Sequence, residues 1–133
     1  MSLPNIRTLE YVNQPRPYKE GMPIMIEAFA TWCPPCRGMI PHMAELSNKY
    51  QNVYIVSVSQ EEKSTVEAMA GKIPPMKEYN VAVDPAKEVA ALMDATKTTG
   101  IPAAFLFDKE GKLVWSGHPS DNQCDAELQK LNA

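Results

Sequence analysis

The sequence predicts an α/β protein in which a mixed central sheet is flanked by helices on both faces. Residues 23–30 form an apolar run, which is typical of a strand buried on both faces. Residues 37–50 then place apolar side chains at helical spacing. Two further apolar runs, 52–59 and 101–107, alternate with helical stretches, and a turn at 108–111 sends the chain back antiparallel. This alternation with a closing hairpin predicts the mixed sheet.

The first half of the chain begins with a short strand over 9–13, and the Pro-broken loop 14–17 after it suits an edge position. The apolar strand follows, and a helix is expected from residue 34 to about residue 50. Pro41 lies inside that helix and cannot donate a hydrogen bond to the carbonyl of Arg37. We therefore expect a kink at Pro41.

The second half predicts, in order, a helix over 65–72, a short strand over 79–83, a helix after residue 84, the hairpin strands 101–107 and 112–117, and a final helix to about 131. Asp84 is the expected N-cap of its helix, with Pro85 at the first helical position. Ser120 is the expected cap of the last helix, with Gln123 as its capping-box partner.

Length and composition favour one ordinary globular domain, residues 1–133 with a core of about 9–131. The 133 residues are 44% hydrophobic and 22% charged, and the net charge is −3. This charge gives no reason to expect nucleic acid or an anionic membrane as a partner, and no apolar stretch has the length of a membrane span. We expect a monomer.

Residues 1–20 contain no hydrophobic signal core, so the chain as written fits a cytoplasmic protein. A periplasmic or other extracytoplasmic location follows instead if a leader was trimmed from it. The compartment stays open.

The cysteines indicate chemistry rather than a structural framework. Cys33 and Cys36 enclose a loop too short to stabilise the fold much, and they lie where a strand ends and a helix begins. A thiol there is near unpaired helix amides, which favour the reactive thiolate. A zinc site needs four ligands, and the other candidates have no recognised spacing. These candidates are Cys124, His42 and His118.

Glu27 is a candidate proton carrier. Its neighbours on both faces of the predicted strand are apolar, so the carboxyl is buried on either face and holds its proton more tightly than in water. It could pass a proton to or from Cys36 through water.

Pro34 and Pro35 remove two amide donors, which leaves the Cys36 amide to stabilise a Cys33 thiolate.

The motif Trp-Cys-Pro-Pro-Cys at 32–36, Gly-Ile-Pro at 100–102, the hairpin and the closing helix together resemble the thioredoxin fold. The resemblance spans residues 9–131. It is greatest to the TlpA-like and the tryparedoxin or nucleoredoxin-like branches, whose active-site sequence matches residues 30–37. Residues 73–97 resemble the strand–helix insertion of these branches, before the strand that follows the cis proline.

The resemblance implies a role for each matching position. Cys33 matches the exposed nucleophile, Cys36 the buried resolving thiol and Glu27 the buried carboxylate of the family. Pro102 matches the proline that is cis in this fold. The backbone of Ile101 would then face an extended substrate that docks like a strand.

Trp32, Pro34 and Pro35 complete the implied substrate-binding set, with Trp32 packing as a lid over the dithiol. Pro41 matches the kink proline of the active-site helix. The family's frequent lysine on the strand after this helix is absent, because residues 53–59 contain none.

The predicted function is thiol–disulfide exchange between the Cys33–Cys36 pair and protein disulfides, in the direction of a reductant. An upstream electron donor would reduce the pair again, and no cofactor or metal is needed because the dithiol is the redox centre. Two alternatives remain. A copper-type metal chaperone on the same fold would use a wider cysteine spacing, and a peroxiredoxin-like peroxidase would need an isolated Cys after a Pro-x-x-x-Thr stretch.

Overall fold

The computed structural model describes residues 3–133, and within them the chain forms six strands and five helices. The strands are β1 (Glu10–Asn13), β2 (Ile24–Phe29), β3 (Tyr54–Ser59), β4 (Asn80–Val83), β5 (Ala103–Phe107) and β6 (Leu113–Gly117). The helices are α1 (Pro34–Gly38), α2 (Ile40–Lys49), α3 (Lys63–Ala70), α4 (Glu88–Ala95) and α5 (Asn122–Leu131). Short 3₁₀ turns occur at Ile6–Thr8 and Pro74–Lys77.

The six strands form one mixed sheet in the order β1-β4-β3-β2-β5-β6. Strands β2, β3 and β4 run parallel, whereas β1, β5 and β6 pair antiparallel with their neighbours. The prediction of a mixed sheet is confirmed, and β1 is an edge strand as expected. β4 and α4 occupy the stretch 73–97, where the strand–helix insertion was predicted.

Both faces of the sheet are covered, because alternate residues of the central strands enter two separate apolar clusters. Met25 and Phe29 of β2 pack on the face covered by α2, α3 and α5. Ile24 and Ile26 pack on the opposite face, with α4 and the first 3₁₀ turn. All six residues of β2 are buried, which confirms the prediction from its continuous apolar run.

The predicted active-site helix is divided into α1 and α2 at Met39. α1 ends at Gly38, and the N–H of Met39, its C-cap residue, donates to the carbonyls of Pro35 (3.2 Å) and Cys36 (3.1 Å). A second helix then starts with Pro41 in its first turn. The missing N–H of Pro41 costs nothing in a first turn, whereas inside one continuous helix it would leave the Arg37 carbonyl without its partner.

Two other helix starts differ from the prediction. α4 begins at Glu88 rather than at Pro85, because Lys87 takes a left-handed conformation (φ 59°) before it. Asp84 still caps α4, although it lies four residues before the first helical residue. Its carboxylate accepts hydrogen bonds from the backbone N–H groups of Glu88, Val89 and Ala90 at 3.0, 2.9 and 3.0 Å.

The last helix is capped by Asp121 rather than by Ser120. Asp121 Oδ1 accepts from the Gln123 N–H at 2.8 Å, while the Ser120 hydroxyl lies 2.8 Å from His118 Nδ1. A carboxylate adjacent to the first turn therefore takes the cap position. α3 covers Lys63–Ala70 rather than 65–72. Over residues 3–133, no helix combines the length and the apolar character needed to cross a bilayer.

The buried carboxylate of Asp84 predicts a large stability effect. Asp84→Ala should lower the free energy of unfolding by about 2 kcal/mol, because three N–H groups of α4 lose their acceptor. Urea denaturation measures the change. Asp94→Ala, at an exposed position of the same helix, is the control and should change stability by less than about 0.5 kcal/mol. Equal effects of the two substitutions would contradict the capping role.

Candidate active site

Cys33 and Cys36 form a disulfide at the junction between β2 and α1. Cys33 is the N-cap residue of α1, and the backbone N–H of Cys36 points at its sulfur with an N···Sγ distance of 3.3 Å. The carbonyl of Cys33 accepts from the Arg37 N–H at 3.0 Å. Because Pro34 and Pro35 have no N–H, the Cys36 amide is the first donor of this turn.

The expectation of an exposed Cys33 is wrong for this disulfide form. Cys33 is 3% exposed and Cys36 is 2% exposed. The Cys33 sulfur is bonded to Cys36 and also lies 3.8 Å from the carbonyl oxygen of Ile101. These two neighbours cover the sulfur from different parts of the chain.

The contact with Ile101 unites two motifs that are 68 residues apart in the sequence. It arises because β5 lies beside β2, so that the residues before β5 come next to the residues after β2. The Ile101–Pro102 peptide bond is cis, as the resemblance implies. Both residues line a groove of about 300 Å³, whose lining also includes Gly117 and His118.

Three of the predicted substrate-binding residues lie at the surface around the dithiol. Trp32 is 70% exposed, and Pro34 and Pro35 are exposed as well. Most of the indole of Trp32 therefore faces solvent instead of covering the dithiol as a lid. The indole of Trp32 therefore forms a large exposed apolar surface next to the disulfide.

Glu27 is buried in the centre of the sheet, at 2% exposure. It lies on the same face as Met25 and Phe29, and therefore on the side of the apolar cluster that contains Cys33 and Cys36. Its register partner on β3 is Ser57, whose hydroxyl donates to Glu27 Oε1 at 2.5 Å.

The environment of Glu27 favours its protonated form. Burial raises the pKa of Glu27 and the hydrogen bond from Ser57 offsets only part of that rise, so that the resulting pKa is about 7. Among the described side chains none makes a hydrogen bond to Glu27 Oε2. The partner of Glu27 on β3 is thus the neutral side chain of Ser57 rather than a lysine. A neutral donor stabilises a carboxylate less than a cation does.

Cys124 is the third cysteine and belongs to the same buried cluster as the dithiol. No motif or spacing in the sequence places Cys124 near the dithiol. Burial, together with the negative charges of Asp125, Asp121 and Glu27, raises the pKa of Cys124 to about 12. The thiol is therefore protonated and poorly nucleophilic at neutral pH.

Sequence reasoning missed Glu61, which binds the chain just before the dithiol. Its carboxylate accepts from the backbone N–H of Thr31 at 2.8 Å and from the Thr31 hydroxyl at 2.6 Å. The signal was available, because polar residues that follow two adjacent parallel strands meet at one edge of the sheet.

In the described part of the chain, no three His, Cys, Asp or Glu side chains are arranged to hold a metal ion.

The sequence pattern of the AhpC/TSA family matches residues 13–116, which include the dithiol, Glu27 and Pro102. The chain belongs to the AhpC/TSA family.

Individual members resemble this AhpC/TSA chain over most of its length. The thiol-disulfide oxidoreductase ResA of Bacillus cereus is 28% identical over 115 residues, which cover 84% of the chain and 65% of that relative. The chain thus spans less than two thirds of the length of this relative.

Solved structures share the fold. A thiol-disulfide isomerase from Corynebacterium glutamicum superimposes with a TM-score of 0.76 at 17% identity, over 98% of this chain and 96% of that one. A thioredoxin-family thiol:disulfide interchange protein from Chlorobium tepidum gives 0.69 at 24% identity, over 86% and 82%. The α/β fold of this AhpC/TSA chain is therefore thioredoxin-like, as predicted.

The raised pKa of Glu27 predicts an unusual dependence of stability on pH. The pKa of Glu27 is about 7 in the folded protein and 4.5 ordinarily. The contribution of Glu27 to the free energy of unfolding is therefore fully present below about pH 4.5 and is lost as the pH rises through about 7. Between about pH 4.5 and about pH 8, the free energy of unfolding of Glu27→Gln should therefore rise by about 3 kcal/mol relative to that of the unsubstituted protein.

Urea denaturation of the oxidised proteins at several pH values measures this difference. Glu45→Gln, at an exposed position of α2, is the matched control and should follow the unsubstituted protein. Parallel curves for Glu27→Gln and the unsubstituted protein would show that Glu27 titrates normally.

Proposed function

We propose that this chain is a thiol–disulfide oxidoreductase that reduces protein disulfides through Cys33 and Cys36. The observation that carries the proposal is the pair itself: two cysteines joined at a helix start, with a backbone N–H directed at the first sulfur. Such a donor stabilises a thiolate on Cys33 once the pair is reduced. The same thiolate would be the attacking nucleophile.

The reaction begins with the reduced dithiol. The Cys33 thiolate attacks one sulfur of a substrate disulfide, so that a mixed disulfide forms and the other substrate sulfur leaves as a thiolate. Cys36 then loses its proton and attacks the Cys33 sulfur. The Cys33–Cys36 bond forms, the second substrate sulfur leaves, and two electrons have passed to the substrate.

Glu27 is proposed to take the proton of Cys36. It is buried on the side of the sheet that faces the cysteine cluster, and its Oε2 has no hydrogen-bond partner among the described side chains. A carboxyl with a pKa of about 7 can both accept and release a proton near neutral pH. A water molecule would connect it to Cys36.

The surface around the dithiol is proposed to bind an extended segment of the substrate. Ile101 contacts the Cys33 sulfur through its carbonyl oxygen, and Pro102 lies next to it in the groove. Trp32, the residue before Cys33, offers an exposed indole, and the exposed residues Pro34 and Pro35 follow Cys33. Backbone pairing at Ile101 and apolar contact at Trp32 are the interactions that an extended peptide uses.

The names of the relatives agree with this proposal. ResA of Bacillus cereus is named a thiol-disulfide oxidoreductase, and the Chlorobium tepidum structure is titled a thiol:disulfide interchange protein. The chain spans 65% of the length of the ResA relative, and the proposal concerns the activity of this chain. We propose an upstream reductase as the electron donor that returns the pair to its reduced form.

Trapping of the mixed disulfide tests the mechanism. In Cys36→Ser, the resolving thiol is missing, so that incubation with a protein disulfide should leave the substrate covalently bound to Cys33. Non-reducing electrophoresis and mass spectrometry detect the adduct. Cys33→Ser should form no adduct, and Cys124→Ser should turn over normally because its thiol is buried and protonated.

An equilibrium titration of the same pair against a thiol–disulfide buffer tests the direction. A potential of about −270 mV supports a reductant, whereas one of about −120 mV indicates an oxidant. The absence of any two-electron transition would exclude the proposed activity.

The exposed indole predicts a substrate-size effect. Trp32→Ala should lower kcat/KM for a protein disulfide such as that of insulin by about tenfold, because an aromatic anchor of the interface is lost. Its rate with glutathione disulfide should change by less than about twofold. Val114→Ala, which removes the 40% exposed Val114 from β6, is the control and should alter neither rate. Equal losses with both disulfides would instead assign Trp32 to the reactivity of Cys33.

A further inference from the structure

Glu61 makes a set of hydrogen bonds that the proposed mechanism does not use. Glu61 Oε1 accepts from the Thr31 N–H at 2.8 Å and from the Ser59 hydroxyl at 2.8 Å. Glu61 Oε2 accepts from the Thr31 hydroxyl at 2.6 Å. One carboxylate therefore binds both polar donors of Thr31.

The sheet explains why these residues meet. β2 and β3 are parallel neighbours, and Phe29 and Ser59 are register partners at their ends. Thr31 follows β2 by the same number of residues as Glu61 follows β3, so the two chain segments leave the sheet side by side. The contact thus joins the loop before the dithiol to the loop before α3.

Thr31 belongs to the tight turn that carries the functional residues. The N–H of Cys33 donates to the Ala30 carbonyl at 3.3 Å and closes a turn with Thr31 and Trp32 at its centre. Trp32 is 70% exposed and has little packing of its own to hold it in place. The position of the indole therefore depends on how the turn is anchored.

The charge of Glu61 strengthens this anchor. Partial burial raises the pKa of Glu61, but the hydrogen bonds from Thr31 and Ser59 more than offset that effect, so its pKa lies below the ordinary value. The carboxylate is therefore ionised at neutral pH, and hydrogen bonds to an ionised acceptor are the strong ones.

We propose that Glu61 is a positioning residue, whose carboxylate holds the Ala30–Cys33 turn so that Trp32 and Cys33 meet a substrate in a defined orientation. This inference rests on the proposed thiol–disulfide exchange. Glu61 acts through Thr31 and takes no part in the bond changes at sulfur. Its loss should reduce productive encounters with a protein disulfide, because small misplacements of reacting groups are costly.

The Thr31 amide reports the anchor directly. In ¹H–¹⁵N spectra of the oxidised protein, its proton resonance should lie downfield and should move upfield as the pH falls from neutral through the lowered pKa of Glu61. The hydrogen bond from Thr31 to the carboxylate is present above the pKa of Glu61 and weakens as the pH falls through that lowered value. Glu61→Gln should abolish the step, since an amide does not titrate.

Exchange kinetics test the consequence. Glu61→Ala should lower kcat/KM for insulin reduction by about tenfold. Glu61→Gln should recover most of that loss, because the amide oxygen accepts from the Thr31 N–H and the amide NH₂ can donate to the Thr31 hydroxyl. Glu62→Gln removes the same charge at the next position, which is exposed and makes no side-chain cap bond. It should behave like the unsubstituted protein in both measurements.

The outcomes separate the two proposals. If the unsubstituted protein reduces insulin but Glu61→Ala matches Glu62→Gln, the positioning role is wrong and the proposed function stands. The positioning role is equally wrong if the Thr31 resonance keeps its acid step in Glu61→Gln. If the unsubstituted protein reduces no disulfide, both proposals are overturned together.

Discussion

The hydrogen-bonded position of β2, between β3 and β5 and covered on both faces, is the constraint on which the rest of the structure depends. A strand in that position must be apolar along its whole length, because neither face meets water. β2 ends at Phe29, where the chain leaves the core. The residues that follow place the dithiol at the edge of the sheet formed by the strand ends. One further residue reaches that edge next to each neighbouring strand: Ile101 just before β5 and Glu61 just after β3.

Glu27 is the one ionisable residue of β2, and it connects the stability of the fold to the chemistry at its edge. Desolvation dominates its pKa, because Ser57 supplies only a neutral hydrogen bond. A cation at the position of Ser57 would stabilise the carboxylate and lower the pKa away from neutrality. The serine thus leaves a carboxyl that changes charge close to pH 7, in the middle of a sheet that is most stable when this group is protonated. Stability at neutral pH is reduced for a group suited to proton transfer.

The two sides of the dithiol are organised by different kinds of contact. On the helix side, the prolines withdraw two donors from the turn, so that a single backbone N–H, that of Cys36, faces the Cys33 sulfur. On the strand side, a charged carboxylate holds Thr31 and, with it, the exposed indole of Trp32. Cys124 shows how much the surroundings matter. It lies in the same apolar cluster as the pair, yet burial and three neighbouring carboxylates keep it a protonated thiol.

The sequence by itself determined the order of strands and helices, the burial of β2 and the location of the dithiol at a strand–helix junction. These features depend on local pattern, namely continuous apolar runs, helical spacing and the Cys-Pro-Pro-Cys turn. The helix starts were the weakest local predictions, because Asp84 and Asp121 cap from positions that depend on the path of the loop. Only the tertiary structure decided that Cys33 is covered by Ile101, that Glu27 pairs with Ser57 and that Glu61 holds Thr31. Each of these contacts joins residues 30 or more positions apart. Such pairs are set by strand order and register, which a single sequence encodes only through the packing of the whole chain.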